Sequence, residues 1–215
     1  MTLRPSLLML GGALILSACS SVPTRYHTLI ATQPQTSSAV QAVDFQLQVL
    51  PVRIPVQVDQ PSLVVRESDG RLAILETALW ASPPADEFHD ALAIELEQRL
   101  GVRDLAGLPG RADKPLLSLR TDVRRFDSLP GRHAVLDAMW SLEISGHGQQ
   151  KRTLTCASVI NEQAGSEVDS LVLAHQRAIG VLADRVARTA RQWAANPDSD
   201  CPQTLAPARA MQSCL

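Results

Sequence analysis

Apolar and polar residues alternate along much of this chain, and the places where their period changes mark its elements. Val43, Phe45, Leu47 and Val49 interleave with Asp44, Gln46 and Gln48. A period of two predicts a strand with one buried face. Pro51, Pro55 and Pro61 follow. Proline has no N–H for a ladder, so residues 51–61 read as an edge piece or a loop over a surface. Residues 62–66 and 71–75 flank Ser68-Asp69-Gly70 and predict a hairpin. Alternation returns in Leu117, Leu119, Thr121 and Val123. After a turn at Leu129-Pro130-Gly131 it continues in Ala134, Leu136, Ala138, Trp140, Leu142 and Ile144. A third strand over 152–160 follows Gly146-His147-Gly148, and Tyr26-His27-Thr28-Leu29 predicts a short strand near the start.

Two stretches switch to the helical period. Ser82 offers a cap and Pro83 suits the first helical position. Phe88, Ala91, Leu92, Leu96 and Leu100 form one stripe, and Gly101 can end the helix in the left-handed conformation. A second helix is predicted over 166–193, with Leu171, His175, Ala178, Leu182, Val186, Ala190 and Trp193 as its stripe. The order of strands, helix, three strands and helix predicts an α+β fold. It would be a single domain over 43–195, with an antiparallel sheet and two main helices packed on one face. No βαβ unit repeats, so a parallel sheet is not expected. Residues 196–215 are polar and proline-containing and read as a disordered tail.

The first residues follow another logic. Arg4 precedes an apolar run over 7–16, then Ser17 and Ala18. This is a signal peptide over 1–18; the run is too short to span a bilayer, which takes about 20 apolar residues. The string Leu16-Ser17-Ala18-Cys19 resembles the bacterial lipobox, in which Cys19 takes up lipid and becomes the mature N-terminus. In such lipoproteins an Asp after the cysteine retains the protein at the inner membrane. Ser20 stands there, which points to the outer membrane, with the domain on its periplasmic face. Residues 19–42, rich in Ser, Thr, Gln and Ala, read as the lipidated N-terminus and a flexible tether.

Composition narrows the chemistry. A net charge of −2 provides no field that would draw nucleic acid, and seven aromatic residues leave little for stacking bases or sugars. No cofactor or metal is expected, because Cys-x-x-Cys and Cys/His ligand spacings are missing. No catalytic motif stands out among the five histidines; His175 reads as a core histidine on its helical stripe. Asp86, Asp90, Glu95 and Glu97 read as the solvated face of the first helix. With Cys19 lipidated, Cys156, Cys201 and Cys214 remain. A Cys156–Cys201 bridge would staple the tail to the sheet; a buried free Cys156 with two loose tail thiols is the alternative. Arg120, Arg124, Arg125 and Arg132 surround one hairpin and are candidates for phosphate or acidic-partner contacts. Against that stands a solvated face balanced by Asp122 and Asp127. Trp80 is either a partner-binding anchor or a ring closing the core at the helix entrance.

The stretch from Gln46 to Leu100 resembles the PqiC/YmbA family of ABC-type transport auxiliary lipoproteins. The matching residues are Pro51, Val52, Ile54, Pro55, Asp59, Pro61, Val64, Val65 and Arg66, then Trp80, Ala81 and the helix to Leu100. Tyr26-His27-Thr28-Leu29 is similar to the family's Tyr-Tyr-x-Leu start. The chain departs at Gln57-Val58, where the family often has Tyr-Leu, at Gln60 for Arg and at His27 for Tyr. The resemblance implies a non-enzymatic outer-membrane lipoprotein that forms a homo-oligomeric ring and works with an MCE-domain tunnel protein in intermembrane phospholipid transport. Pro55, Asp59 and Pro61 would then be partner contacts. Two other readings stand beside it: a periplasmic lipoprotein that holds a lipid monomer in its own cavity, and an envelope hydrolase.

Overall fold

The computed structural model describes residues 22–32, 40–146 and 148–202. The signal segment, Cys19 and His147 lie outside the described residues. Seven strands and two helices follow in the order β1 (Arg25–His27), β2 (Gln46–Val49), β3 (Ser62–Ser68), β4 (Arg71–Trp80), α1 (Pro84–Leu100), β5 (Leu116–Leu129), β6 (His133–Gly146), β7 (Gln149–Gln163) and α2 (Val168–Ala195). The α+β class predicted from the sequence is the one found.

The sheet arrangement is richer than the single antiparallel sheet expected. Three strands form one sheet in the order β1-β4-β3, and four form a second in the order β2-β5-β6-β7. The long hairpins β3–β4, β5–β6 and β6–β7 are antiparallel. β1 joins β4 and β2 joins β5 in parallel. Both short strands reach their partners across long connections, which leave either direction open, whereas tight turns enforce antiparallel pairing.

The predicted stripes form the core. Leu117, Leu119, Leu136, Leu142 and Trp140 from β5 and β6 are at most 1% exposed. They meet Phe88, Leu92, Leu96 and Leu100 of α1 and Leu171, Leu182 and Val186 of α2 in one cluster. The Trp140 indole N–H donates to Ser158 Oγ at 3.1 Å, so these two buried polar groups satisfy each other. α2 is long, yet no helix among the described residues is apolar enough to cross a membrane.

Ser82 does not cap α1. Pro83 occupies the N-cap with extended backbone and Pro84 takes the first helical position. The Ser82 hydroxyl donates instead to Glu87 Oε1 at 3.0 Å. Nor is the whole of 19–42 a tether. β1 pairs with β4 inside it, and Leu29 is 1% exposed. The start of the tail is also tied down: Cys156 on β7 and Cys201 form a disulfide across 45 positions, which in chain-entropy terms contributes about 4 kcal/mol; the rest of the tail, 203–215 with Cys214, lies outside the described residues.

The end of α1 is set by Gly101 at φ 68°, whose N–H donates to Glu97 O at 2.9 Å. The strap at 40–43 crosses here, with Val43 N–H donating to Leu100 O at 3.0 Å. A Cβ on Gly101 would lie 2.9 Å from the Ala42 Cα. Gly101→Ala therefore forces a left-handed alanine and a backbone clash together. We expect a loss of about 2 kcal/mol or more, and a Tm lower by roughly 5 °C in calorimetry. An unchanged Tm would show that the strap is not held against α1.

Candidate functional site

The proline segment reads as an edge, and it runs along β5 beyond the end of β2. Leu50 and Arg53 N–H groups donate to Leu119 O and Thr121 O, and Val123 N–H returns a bond to Arg53 O at 2.8 Å. Val52 and Ile54 point into the core, with exposures of 7% and 9%. The chain then turns, and Val58 N–H donates to Pro55 O at 3.0 Å. Asp59 Oδ1 faces the Ala85 N–H at 3.4 Å, at the start of α1. Pro61 O accepts from Trp80 N–H at 2.8 Å. The motif residues Pro55, Asp59 and Pro61 thus each hold the segment to its neighbours. Val56, which carried no signal in the sequence, is 84% exposed at the tip of this turn.

Trp80 is 5% exposed and its ring lies 6.5 Å from that of Phe126. It closes the core at the entrance to α1, and its role as a partner anchor is corrected on that ground.

The four arginines do not form one cluster. Arg124 and Arg125 line a cleft of ≈ 130 Å³ together with Pro55, Gln57, Val58, Arg66, Leu72, Phe126 and Asp127. Arg120 sits further along β5, opposite Ser141, and Arg132 lies in the β5–β6 turn; both are exposed. The fold therefore joins two of the arginines to Pro55 and leaves the other two apart. A β-bulge between Val123 and Arg125 sets this up, because it places Arg124 and Arg125 both at the surface.

Asp127 organises the floor of the cleft. Arg66 Nη2 donates to Oδ1 at 3.0 Å, and Arg125 donates to Oδ2 through Nε at 3.2 Å and Nη2 at 2.9 Å. Burial alone would raise the Asp127 pKa; the hydrogen bonds from Arg66 and then Arg125 outweigh it and hold the carboxyl below the usual carboxylate range. Arg124 is freer, 3.6 Å from Asp122 with a side chain 61% exposed. The mouth of the cleft therefore combines an exposed aliphatic turn with one loosely paired arginine, which suits an acidic or polar contact better than a reaction.

Beneath the cleft, His175 stacks on Phe126 with ring centroids 3.9 Å apart, and its Nε2 lies 2.9 Å from Ser128 Oγ. Both members of this Ser–His pair are sealed, with exposures of 3% and 0%, and Nδ1 has no partner. A nucleophile must reach its substrate and its base must be oriented; here the pair is core. Burial drives the His175 pKa down to about 3, against an opposing pull from Asp127.

Glu87 is the residue that sequence reasoning missed. It is 4% exposed in the first turn of α1. Its Oε2 accepts from Thr28 Oγ1 at 2.6 Å and from Leu29 N–H at 2.8 Å. Gln176 of α2 donates to Thr28 O at 3.0 Å, and Ala81 N–H to His27 O at 2.8 Å. An acidic residue in a first helical turn reads as a partner for the helix dipole, so nothing local marks Glu87 as buried. Glu95 and Glu97 are likewise half-buried rather than solvated. Glu95 and Asp184 both pair with Arg99, joining the helices, while Glu97 accepts from Asp104 N–H at 2.9 Å.

The chain matches the family described as ABC-type transport auxiliary lipoprotein component over residues 27–187. It belongs to that family, in agreement with the PqiC/YmbA resemblance. The match begins within β1 and ends in α2, so it takes in every strand and both helices up to residue 187. Two solved structures share the fold. One, an uncharacterised protein, is 20% identical, with a TM-score of 0.58 over 79% of this chain and 99% of that one. A Xanthomonas campestris protein of family DUF330 is 19% identical, with a TM-score of 0.56 over 80% of this chain and 99% of that one. No protein of curated function matches.

The buried histidine yields a pH test. The unfolded ring titrates near 6.5 and the folded one near 3, so the unfolded state binds the extra proton between those values. Stability is then full above pH 6.5 and falls as the pH drops towards 3, by up to about 1.4 kcal/mol per unit. Urea titrations of His175→Gln between pH 4 and 7 should show a shallower slope than the parent. Parallel slopes would mean that His175 is solvated or paired when protonated.

Proposed function

We propose that this lipoprotein is anchored through Cys19 to the periplasmic face of the outer membrane. There it serves as a non-enzymatic docking subunit of an MCE-type phospholipid transport system. In this reading several copies form a ring that receives the periplasmic tunnel and supports envelope integrity. The observation that carries it is the family match across β1 to α2, whose description is of an auxiliary lipoprotein to an ABC-type transporter. The geometry supports a docking role. A well-packed domain presents Val56 and Gln57 beside Arg124 and Arg125 at one exposed turn, and arginine forks pair readily with acidic groups. The interior counts against a domain that swallows a lipid, since the space between helices and sheet is filled by Phe88, Trp140 and fully buried leucines.

The test is affinity capture of the full-length tagged protein from solubilised membranes, followed by mass spectrometry. We expect an MCE-domain protein or an ABC-transport component to be recovered. We also expect Val56→Glu combined with Arg124→Glu to lose it while the protein stays folded by circular dichroism. Recovery of neither component from membranes that contain them would contradict the reading.

A further inference from the structure

The route of the N-terminal segment carries the argument. Cys19 precedes Arg25 by six positions, so covalent geometry keeps the two within about 22 Å. Arg25 is fixed opposite Ala78, and Tyr26 opposite Leu79. Because β1 runs parallel to β4, the chain enters β1 from the side of the β3–β4 turn. Val22 and Pro23 line a groove with Thr77 and Ala78 of β4 and with Val168 and Asp169 at the start of α2, which places the incoming chain at the edge of the sheet.

The same sheet has one unpartnered face. Ala78 and Trp80 turn inward, with exposures of 6% and 5%, so Leu79 and its partner Tyr26 turn outward. An irregularity in the pairing, with Ser62 opposite Leu79 but Leu63 opposite Leu75, resets the phase along β4, so Leu72 and Ile74 also point outward, 39% and 54% exposed, while Tyr26 reaches 69%. Tyr26, Leu72 and Ile74 thus share the outward face of the sheet that receives the tether. Ala78 back to Arg71 is about 23 Å of strand at ~3.3 Å per residue, a length that the tether itself can match. The charges at the turn cancel, since Arg71 pairs with Glu67. Beside Leu72 on this face, its cross-strand partner Arg66 is held by Asp127. Tyrosine at the entrance suits the boundary between water and acyl chains.

We propose that the outward face of the β1-β4-β3 sheet lies against the bilayer that holds the Cys19 lipid. The inference rests on the lipid-anchor reading above and adds to it the face that meets the membrane. The domain then sits on the bilayer instead of hanging from a long tether, with the cleft of Arg124 and Arg125 at the edge of the contact, beside Leu72.

The test uses the full-length protein purified from membranes with its lipid retained. It carries Cys214→Ser and a single NBD-labelled cysteine, either Ile74→Cys on the proposed face or Met139→Cys on the other sheet. Each form is reconstituted into phosphatidylethanolamine/phosphatidylglycerol vesicles that contain nitroxide-labelled lipid. We expect NBD at 74 to shift to shorter wavelength and lose emission to the nitroxide, and NBD at 139 to do neither. With a normal lipid mass on Cys19, unquenched emission at 74 overturns the proposed face. Shielding at 74 that appears only on self-association, without lipid quenching, also overturns it and assigns the face to a second copy. Absence of lipid mass on Cys19 overturns the anchor reading, and the inference falls with it.

Discussion

The carboxylate of Glu87, buried at the start of α1, is the constraint on which the arrangement of this protein depends. A buried charge is costly unless its hydrogen bonds are satisfied. Thr28, the Leu29 amide and Ser82 supply them at 2.6, 2.8 and 3.0 Å, each a charge-assisted bond of about 1.5–3 kcal/mol. The same bonds fasten the N-terminal segment across the helix entrance, where β1 completes a sheet and Leu29 enters the core. Removing the segment would strand the carboxylate, and removing the carboxylate would strand the segment. The two are therefore coupled, and the strand nearest Cys19 in sequence is part of the fold.

Two consequences follow for function. Five residues separate Cys19 from β1, so for the proposed anchor the question becomes one of orientation. The proline segment is likewise spent largely on the fold. Pro55, Asp59 and Pro61 engage Val58, Ala85 and Trp80, so the turn they hold, and not the motif residues themselves, is what a partner can reach. Below it Asp127 clamps Arg66 and Arg125 while His175 and Ser128 seal the core. A rigid base under an exposed turn suits docking.

Much of the fold was legible because its signals are periodic. The alternation of Leu117 to Val123 and of Ala134 to Ile144 has one buried phase, and so do the stripes of both helices. What escaped was set by contacts distant in sequence. The short strand at Tyr26-His27-Thr28-Leu29 is expected from the sequence, but its parallel pairing with β4 is supported by Glu87 and Gln176, far along the chain. Ser82 carried a cap signal, yet its hydroxyl was claimed by Glu87 and the N-cap fell to Pro83. With three thiols, spacing did not choose Cys156–Cys201; the approach of the tail to β7 does. At the candidate site, the convergence of Pro55 with Arg124 and Arg125 follows from the edge strand's course and a β-bulge, which no local pattern announces. Four arginines near one another in sequence therefore looked like one group and proved to be two exposed neighbours and two outliers.

The central claim is that residues 25–30 are structure and not tether. Hydrogen exchange of the full-length protein tests it most directly, read at the Leu29 amide, bonded to Glu87, and the Ala81 amide, bonded to His27 O. The account predicts protection at both sites comparable to that of Leu119 and Leu142 in the core strands. Exchange of the Leu29 amide at the rate of a free chain, with the core still protected, would contradict it.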